Sequence, residues 1–148
     1  MALFSIVKVQ QGGLILVYQK HQAIAEWRNI RCFRLTKTIR PFFTGDFYLL
    51  VPLTIADHDW CAWQLHRPDL KAGIAMLLRR HRSPYEMATV SLRGIEPDAE
   101  YQVSPSSDYR PGPATRMKGR ELQRLTVRIA EMPGSILLRY QQVEQETG

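Results

Sequence analysis

Short apolar runs of strand length, separated by turn residues, most strongly limit what this chain can fold into. From residue 60 onward the runs are spaced close to the 8–12 residues typical of all-β sandwiches. They are WCAWQLH (60–66), GIAMLLRR (73–80), ATVSLRG (88–94), AEYQV (99–103), ELQRLTVRI (121–129) and SILLRY (135–140). Glycine, proline, aspartate and serine fill the intervals, which include a polar loop, SPSSDYRPGPAT, at 104–115. The pattern predicts an antiparallel β-sandwich of the Greek-key or jelly-roll type over residues 44–142, followed by a disordered tail at 143–148.

Residues 1–43 have a different texture and predict a strand-helix lead-in to the sandwich. LILVY at 14–18 is short and β-branched, which predicts a buried strand. Apolar residues spaced by three and four between 21 and 39 predict a helix that Pro41 ends. One strand followed by one helix is the unit from which parallel α/β sheets are built, but the chain has one copy of it. The apolar stripe of the helix includes Ile24, Trp27 and Ile30.

The charge pattern bears on possible partners. The net charge is +6, and residues 1–50 hold seven Lys or Arg against two Asp or Glu. The cations Arg28, Arg31, Arg34, Lys37 and Arg40 spread around the predicted helix, and no basic run alternates with aromatic residues. We therefore predict neither a nucleic-acid partner nor, since no apolar run is long enough to span a bilayer, a membrane partner. Cys32 and Cys61 have no disulfide or metal spacing and no secretory signal precedes them, which predicts a cytoplasmic protein with reduced thiols.

The stretch DWCAWQLHRPD at 59–69 is the richest in chemically active side chains. On a strand, Cys61, Trp63 and Leu65 share one face, and this wholly apolar set predicts the core side. Trp60, Ala62, Gln64 and His66 would then share the outer face. Trp60 is open to two interpretations, since it could cover an edge or stack on a sugar ring. The candidate carbohydrate-binding aromatics are Trp60, Tyr85 and Tyr109.

No arrangement in the sequence predicts catalysis, a metal or a cofactor. Adjacent residues of an extended chain point apart, so Asp57, His58 and Asp59 fit a turn better than a metal site. His66 and Asp69 could form a dyad, but no serine or cysteine nucleophile in a fitting context accompanies them. Most of the acidic residues lie in predicted turns, whereas a glycosidase needs two carboxyl groups at a defined separation on rigid elements.

Four segments, in this order, resemble the C-terminal part of bacterial α-galactosidases of glycoside hydrolase family 36. They are RPFFTGDFYLL (40–50), DWCAWQLHRPD (59–69), GIAMLLRRHRSPYE (73–86) and SLRGIEPDAEYQV (91–103). The matching positions include Gly45 to Tyr48 at the junction, then Trp63, Gln64, Arg67 and Pro68, and later Gly94, Pro97 and Tyr101. GREL at 119–122 resembles a further segment. The sequence departs from the family where Leu49 to Val51 intervene before Pro52, and residues 1–20 match nothing in it.

The resemblance implies the last helix of a catalytic (β/α)8 barrel followed by the sandwich beside it. In the family both catalytic aspartates lie on barrel strands upstream, and a barrel needs about 200 residues or more. No catalytic residue is therefore carried over, and the chain is not expected to be an enzyme on its own. We expect an accessory or structural domain, either a gene fragment or one piece of a split enzyme.

Three partners or ligands stay open at this stage. A separate α-galactosidase barrel chain, or a second copy of this chain, could cover the helix stripe of Ile24, Trp27 and Ile30. Alternatively, the chain is a stand-alone carbohydrate-binding module for α-galactosides. A basic surface that binds anions is the third and weakest hypothesis, because its cations form no single stripe.

Overall fold

The computed structural model of the chain describes residues 7–10, 13–16, 34–107 and 110–144. Strands dominate the described residues, and the helices are short. The strands are β1 (Val7–Gln10), β2 (Gly13–Leu16), β3 (Asp46–Leu49), β4 (Cys61–Arg67), β5 (Ala72–Arg79), β6 (Met87–Val90), β7 (Glu100–Ser107), β8 (Arg110–Pro111), β9 (Thr115–Lys118), β10 (Leu125–Arg128) and β11 (Gly134–Gln142). Helix α1 is described over 34–39, α2 spans Gly119–Leu122, and 3-10 turns cover Arg40–Thr44 and Pro68–Leu70.

One large antiparallel sheet organises the described chain. Its order is β3-β4-β5-β11-β7-β8, and β9 also pairs with β7. β11 comes last in the chain and returns to pair with β5 on one side and β7 on the other. A second sheet of β6 and β10 is also antiparallel. The prediction of a mainly β fold built from antiparallel sheets is confirmed.

The main core lies on one face of the large sheet, with β6, β10 and α2 contributing to it. Alternation along the strands selects the inward residues, as the buried-exposed pattern of β10 illustrates. The buried members are Trp60, Ala62, Ala75, Leu77, Val90, Leu92, Ile95, Tyr101, Val103, Leu122, Leu125, Val127, Ile129, Leu138 and Tyr140. Because the core takes its members from residues 60 to 140, these residues form one packed unit.

A tyrosine ties the loop before β7 to the core. The Tyr101 hydroxyl accepts a hydrogen bond from the backbone N–H of Glu96 at 3.0 Å, and Tyr101 is almost fully buried. A tyrosine near the start of a strand that bonds to backbone a few residues upstream is the tyrosine corner of β-sandwiches. Burial raises the pKa of Tyr101, so the hydroxyl keeps its proton.

A smaller core lies on the opposite face of the large sheet, here called the second face. Phe42 of the first 3-10 turn packs with Ala72, Ile74 and Leu137, while Leu35 and Ile39 of α1 pack against them. The end of α1 and the turn after it therefore cover part of this face. The described part of α1 agrees with the predicted helix.

The structure differs from the sequence predictions in three places. Residues 14–16 of the expected strand 14–18 lie in β2, which within the described residues pairs antiparallel with β1, whereas a strand-helix unit would pair parallel. The expected polar loop at 104–115 is largely strand, because β7 runs on to Ser107 while β8 and β9 pair with it. The start of the expected strand 121–129 is helical, since α2 precedes β10.

Two further observations concern the termini and the membrane. The backbone N–H of Val143 donates to the carbonyl of Glu100 at 2.8 Å, so the start of the expected tail is tied to β7. Residues 145–148 lie outside the described residues. No helix within the described part of the chain has the length and apolarity needed to cross a membrane.

Candidate functional site

The two faces of β4 are reversed relative to the sequence prediction. Ala62, Gln64 and His66 are buried, whereas Cys61, Trp63 and Leu65 are only half-buried. The expectation that the wholly apolar face is the core side was therefore wrong. The reason is physical, since a buried polar group costs little when a hydrogen bond satisfies it.

Gln64 is the centre of a buried polar cluster, which we define as Gln64, His66 and Tyr140. The backbone N–H of Arg93 donates to Gln64 Oε1 at 2.7 Å, and Gln64 Nε2 donates to the Arg93 carbonyl at 2.8 Å. Gln64 Nε2 also donates to the Tyr140 hydroxyl at 2.6 Å. Because a backbone N–H can only donate, the first bond fixes which amide atom is oxygen.

The hydrogen bonds also assign the tautomer of His66. Gln64 Nε2 donates one of its two hydrogens to the oxygen of the Tyr140 hydroxyl. The hydroxyl must donate its own hydrogen to a different group. The acceptor is His66 Nδ1, 2.8 Å away, so the neutral ring carries its proton on Nε2. The rings of His66 and Tyr140 also stack at 12° with centroids 5.9 Å apart. Burial raises the pKa of Tyr140 well above its usual range, which keeps this donor protonated.

Two glycines give the cluster its space. A Cβ on Gly94 would lie 2.6 Å from His66 Cδ2, and Gly94 has a φ of +69° that side-chain residues rarely adopt. A Cβ on Gly73 would meet the Tyr140 hydroxyl oxygen and the Leu65 carbonyl oxygen in the same way. Both positions therefore exclude larger residues.

The stability of the fold is expected to fall in mild acid because of His66. Burial lowers the pKa of His66 below its ordinary value of 6.5, and nearby Asp46 raises it by less. Between the folded-state pKa and 6.5 the unfolded chain binds more protons, so the free energy of unfolding decreases as the pH falls through this window. Chemical denaturation between pH 8 and about pH 4 measures the slope.

Exposed histidines supply the control for this measurement. His66→Gln should flatten the His66 part of the slope, whereas His58→Gln should leave it unchanged, because the His58 side chain is 60% exposed. An unchanged slope in the His66 variant would contradict the assignment.

A buried arginine joins two loops at one end of the sandwich. Arg79 is 6% exposed, and its Nη1 donates to the carbonyls of Ile129 and Ala130, each at 2.9 Å. Its Nε and Nη2 donate to the Ser83 carbonyl at 3.3 and 3.0 Å. Backbone carbonyls thus satisfy this guanidinium, which gives it a structural role.

The Arg-Pro turn after β4 is fastened by Arg67. Arg67 holds Asp69 with two parallel hydrogen bonds of 2.7 and 2.6 Å and also donates to the Pro41 carbonyl at 2.7 Å. The guanidinium lowers the pKa of the Asp69 carboxyl. Asp69 pairs with Arg67 and His66 bonds Tyr140, so these contacts do not form the dyad considered from the sequence.

Asp57, His58 and Asp59 form a turn, as predicted. Asp57 pairs with Arg82 at 3.2 Å and with His81 at 3.6 Å, while Asp59 accepts from the Thr54 hydroxyl at 2.6 Å. Within the described residues no group of three or more His, Cys, Asp or Glu side chains could hold a metal ion.

The three candidate sugar-binding aromatics are placed very differently. Trp60 is 8% exposed in the main core, and its Nε1 donates to the Tyr85 carbonyl at 3.0 Å. This burial leaves Trp60 no free ring face for stacking. Tyr85 is 68% exposed. Tyr109 lies outside the described residues.

The second face has an apolar half and a polar half. Strand registers place Trp63 beside Met76 and Leu65 beside Ile74, and Leu137 continues the apolar set. On the far side Arg139 lies beside Ser104, and Gln102 lies beside Arg116. The helix stripe that was expected to need a partner, Ile24, Trp27 and Ile30, lies outside the described residues.

The buried polar cluster was not found from the sequence. Alternation along β4 predicts Gln64 and His66 on the outer face, and nothing in the sequence links them to Tyr140. A usable signal was the set of small residues Ala62, Gly73 and Ala75 near Gln64, since small residues mark close packing. The strand register places Gln64 opposite Ala75, so Gln64 lies on the closely packed side of the sheet.

Comparison with known proteins shows which solved structures share this fold. No protein-family model and no curated protein matches the sequence. Among solved structures, the chain resembles the GH36 α-galactosidase AgaA of Geobacillus stearothermophilus, with a TM-score of 0.67 and 16% identity over 84% of this chain and 17% of that one.

Two further solved structures agree. The α-galactosidase of Lactobacillus brevis matches with a TM-score of 0.66 and 17% identity, over 87% of this chain and 18% of that one. AgaB of Geobacillus stearothermophilus matches with a TM-score of 0.63 and 19% identity, over 84% of this chain and 16% of that one. The chain thus spans about one sixth of the length of these enzymes. It has the fold of one part of glycoside hydrolase family 36 α-galactosidases, as its sequence motifs predict.

Proposed function

We propose that the chain acts as a non-catalytic accessory or structural domain of a family 36-like α-galactosidase. The observation that carries the proposal is the unequal coverage, since 84% of this chain matches only 17% of AgaA. A catalytic barrel would then come from a separate chain or from the rest of a longer polypeptide. We propose the cytoplasm as its location, which suits the free thiol of Cys61.

The contacts of the acidic residues support a non-catalytic role. Glycosidic cleavage uses two carboxyl groups that flank the bond, one of them able to give a proton. Several carboxylates of the described chain instead pair with arginines at the surface, as Asp98 does with Arg120 at 2.6 Å and Glu86 with Arg128 at 2.9 Å. These pairs join neighbouring loops and strands at the surface of the sandwich.

The second face is evidence for a contact between this chain and the rest of such an enzyme. Its apolar half is only partly covered, because Trp63, Leu65 and Met76 are half-buried. Contiguous apolar surface of this kind is typical of contacts between domains. The helix stripe of Ile24, Trp27 and Ile30 stays a proposed part of the same contact.

A carbohydrate-binding module is the second candidate, and Tyr85 is the observation that favours it. Its ring is largely exposed, as a sugar-stacking aromatic must be. A structure of AgaA in complex with raffinose makes α-galactosides the ligands to try first. The burial of Trp60 weakens this candidate, because a second aromatic of the proposed platform is absent from the surface.

One experiment on the purified chain separates these functions. We expect cooperative thermal unfolding, no hydrolysis of p-nitrophenyl α-galactoside, and an unchanged midpoint with galactose, melibiose or raffinose. A ligand at about 100 times its dissociation constant would add about 2.7 kcal/mol and raise the midpoint by several degrees. A shift that Tyr85→Ala removes would establish the binding module, with Phe43→Ala, a change at another exposed aromatic residue, as the matched control. Turnover by the chain alone would contradict the accessory role.

A further inference from the structure

At the outer edge of β3, no backbone partner comes from the residues that the structure describes. Within the described residues β3 pairs only with β4, at one end of the large sheet. The N–H of Leu50 donates to the Ala62 carbonyl at 3.0 Å, which fixes the side of the strand that faces β4. Antiparallel ladders alternate residue by residue, so Phe47 and Leu49 direct their N–H and C=O groups outward.

The same two residues expose apolar side chains. Phe47 is 59% exposed and Leu49 is 48% exposed, and both lie on the second face. Natural edge strands are usually protected by short length, charged residues, proline, bulges or a covering element, and of these β3 has the short length, with four residues. β3 reads DFYL and has a single charge, Asp46, and no proline. It combines apolar side chains with open hydrogen-bonding positions.

We propose that β3 pairs antiparallel with β3 of a second copy of this chain, about a two-fold axis at Tyr48. In this register Phe47 lies opposite Leu49 of the second copy. Each of these two pairs exchanges two backbone hydrogen bonds, so four bonds join the copies. The apolar side chains of each pair meet on the second face, where cross-strand contacts stabilise a sheet.

Charge and symmetry favour a second copy at this edge. A two-fold contact must be self-complementary, and this register places Asp46 opposite Leu50 of the second copy, so the carboxylates do not face each other. Stacking two second faces instead would bring the exposed cations Arg116, Lys118 and Arg139 of both copies toward one another. The edge contact does not depend on the proposed accessory role.

Sedimentation equilibrium over a wide concentration range tests the proposal with the intact chain. The weight-average mass of the wild type should rise toward about twofold that of one chain. Replacing both Phe47→Lys and Leu49→Lys should keep the chain monomeric, because each lysine would face another across the axis. The replaced side chains are exposed, and circular dichroism verifies that the fold is retained.

A matched variant adds the same charges elsewhere. Leu53 and Ile55 are 77% and 102% exposed and precede β4 outside any strand, so Leu53→Lys with Ile55→Lys should still dimerise. Hydrogen exchange supplies a backbone readout, since the amides of Phe47 and Leu49 should exchange more slowly at high concentration in the wild type and in this control variant.

Three outcomes would overturn the proposal. One is a wild-type chain that stays monomeric at the highest concentrations. Another is a dimer that persists in the Phe47 and Leu49 double variant, which would place the contact on another surface such as the helix stripe. The third is a dimer in which exchange of these two amides is independent of concentration, which would mean side-chain contact without strand pairing.

Discussion

Replacing Gln64 by leucine is expected to lower the free energy of unfolding by about 3–5 kcal/mol. The variant keeps most of the side-chain volume but leaves the N–H and C=O of Arg93 without partners and removes one bond from Tyr140. Each unsatisfied buried group costs about 1–3 kcal/mol. For a domain of this size the thermal midpoint should drop by about 10–20 °C.

Chemical denaturation of the Gln64→Leu variant and of a Gln102→Leu control measures this change in the free energy of unfolding. Gln102 is exposed on β7, so its variant should change stability by no more than about 0.5 kcal/mol. A loss below about 1 kcal/mol in Gln64→Leu would mean that water reaches the cluster and replaces the amide. The location of Gln64 in the core makes that outcome unexpected, since its exposure is 0%.

Replacing Arg79 by methionine is expected to cost about 2–4 kcal/mol. Methionine keeps the length of the side chain but cannot donate to the carbonyls of Ser83, Ile129 and Ala130. Arg79→Lys should recover only part of the loss, because a single ammonium cannot copy the planar fork of five donors.

The local effect of the Arg79 change identifies its cause. Hydrogen exchange should accelerate at residues 80–86 and 129–133, the two loops that the guanidinium joins. Arg116→Met on the exposed surface of β9 provides the comparison and should leave both stability and exchange unaltered. Equal losses in both variants would argue against a specific role for the buried guanidinium.

The strands were predictable from sequence where alternation and turn residues agree. β4 and β5 match the expected runs to within one residue, because apolar residues and the Arg-Pro turn define them locally. β7 shows the limit of such reasoning. Its polar end from Ser104 to Ser107 is strand because it pairs with Leu137 and its neighbours on β11, and such pairing is not encoded nearby in sequence.

The candidate site shows a different limit. Alternation correctly divided β4 into two sets of residues, but it could not say which set faces the core. Polarity suggested the wrong answer, because the partners of Gln64 come from Arg93 and Tyr140, 29 and 76 residues away. Hydrogen bonds between distant segments make a polar face suitable for burial, and a single sequence does not display them.

The position of β11 has a consequence for how the protein is made. β5 and β7 are joined through β11, which forms from residues near the end of the described chain. As a ribosome releases the chain, β3, β4 and β5 can assemble on one side and β7, β8 and β9 on the other. The two groups cannot become one sheet until residues 134–142 have emerged to fill the gap between them. Completion of the sheet therefore follows the release of its other strands, and until then the strand edges on both sides of the gap stay open to incorrect pairing.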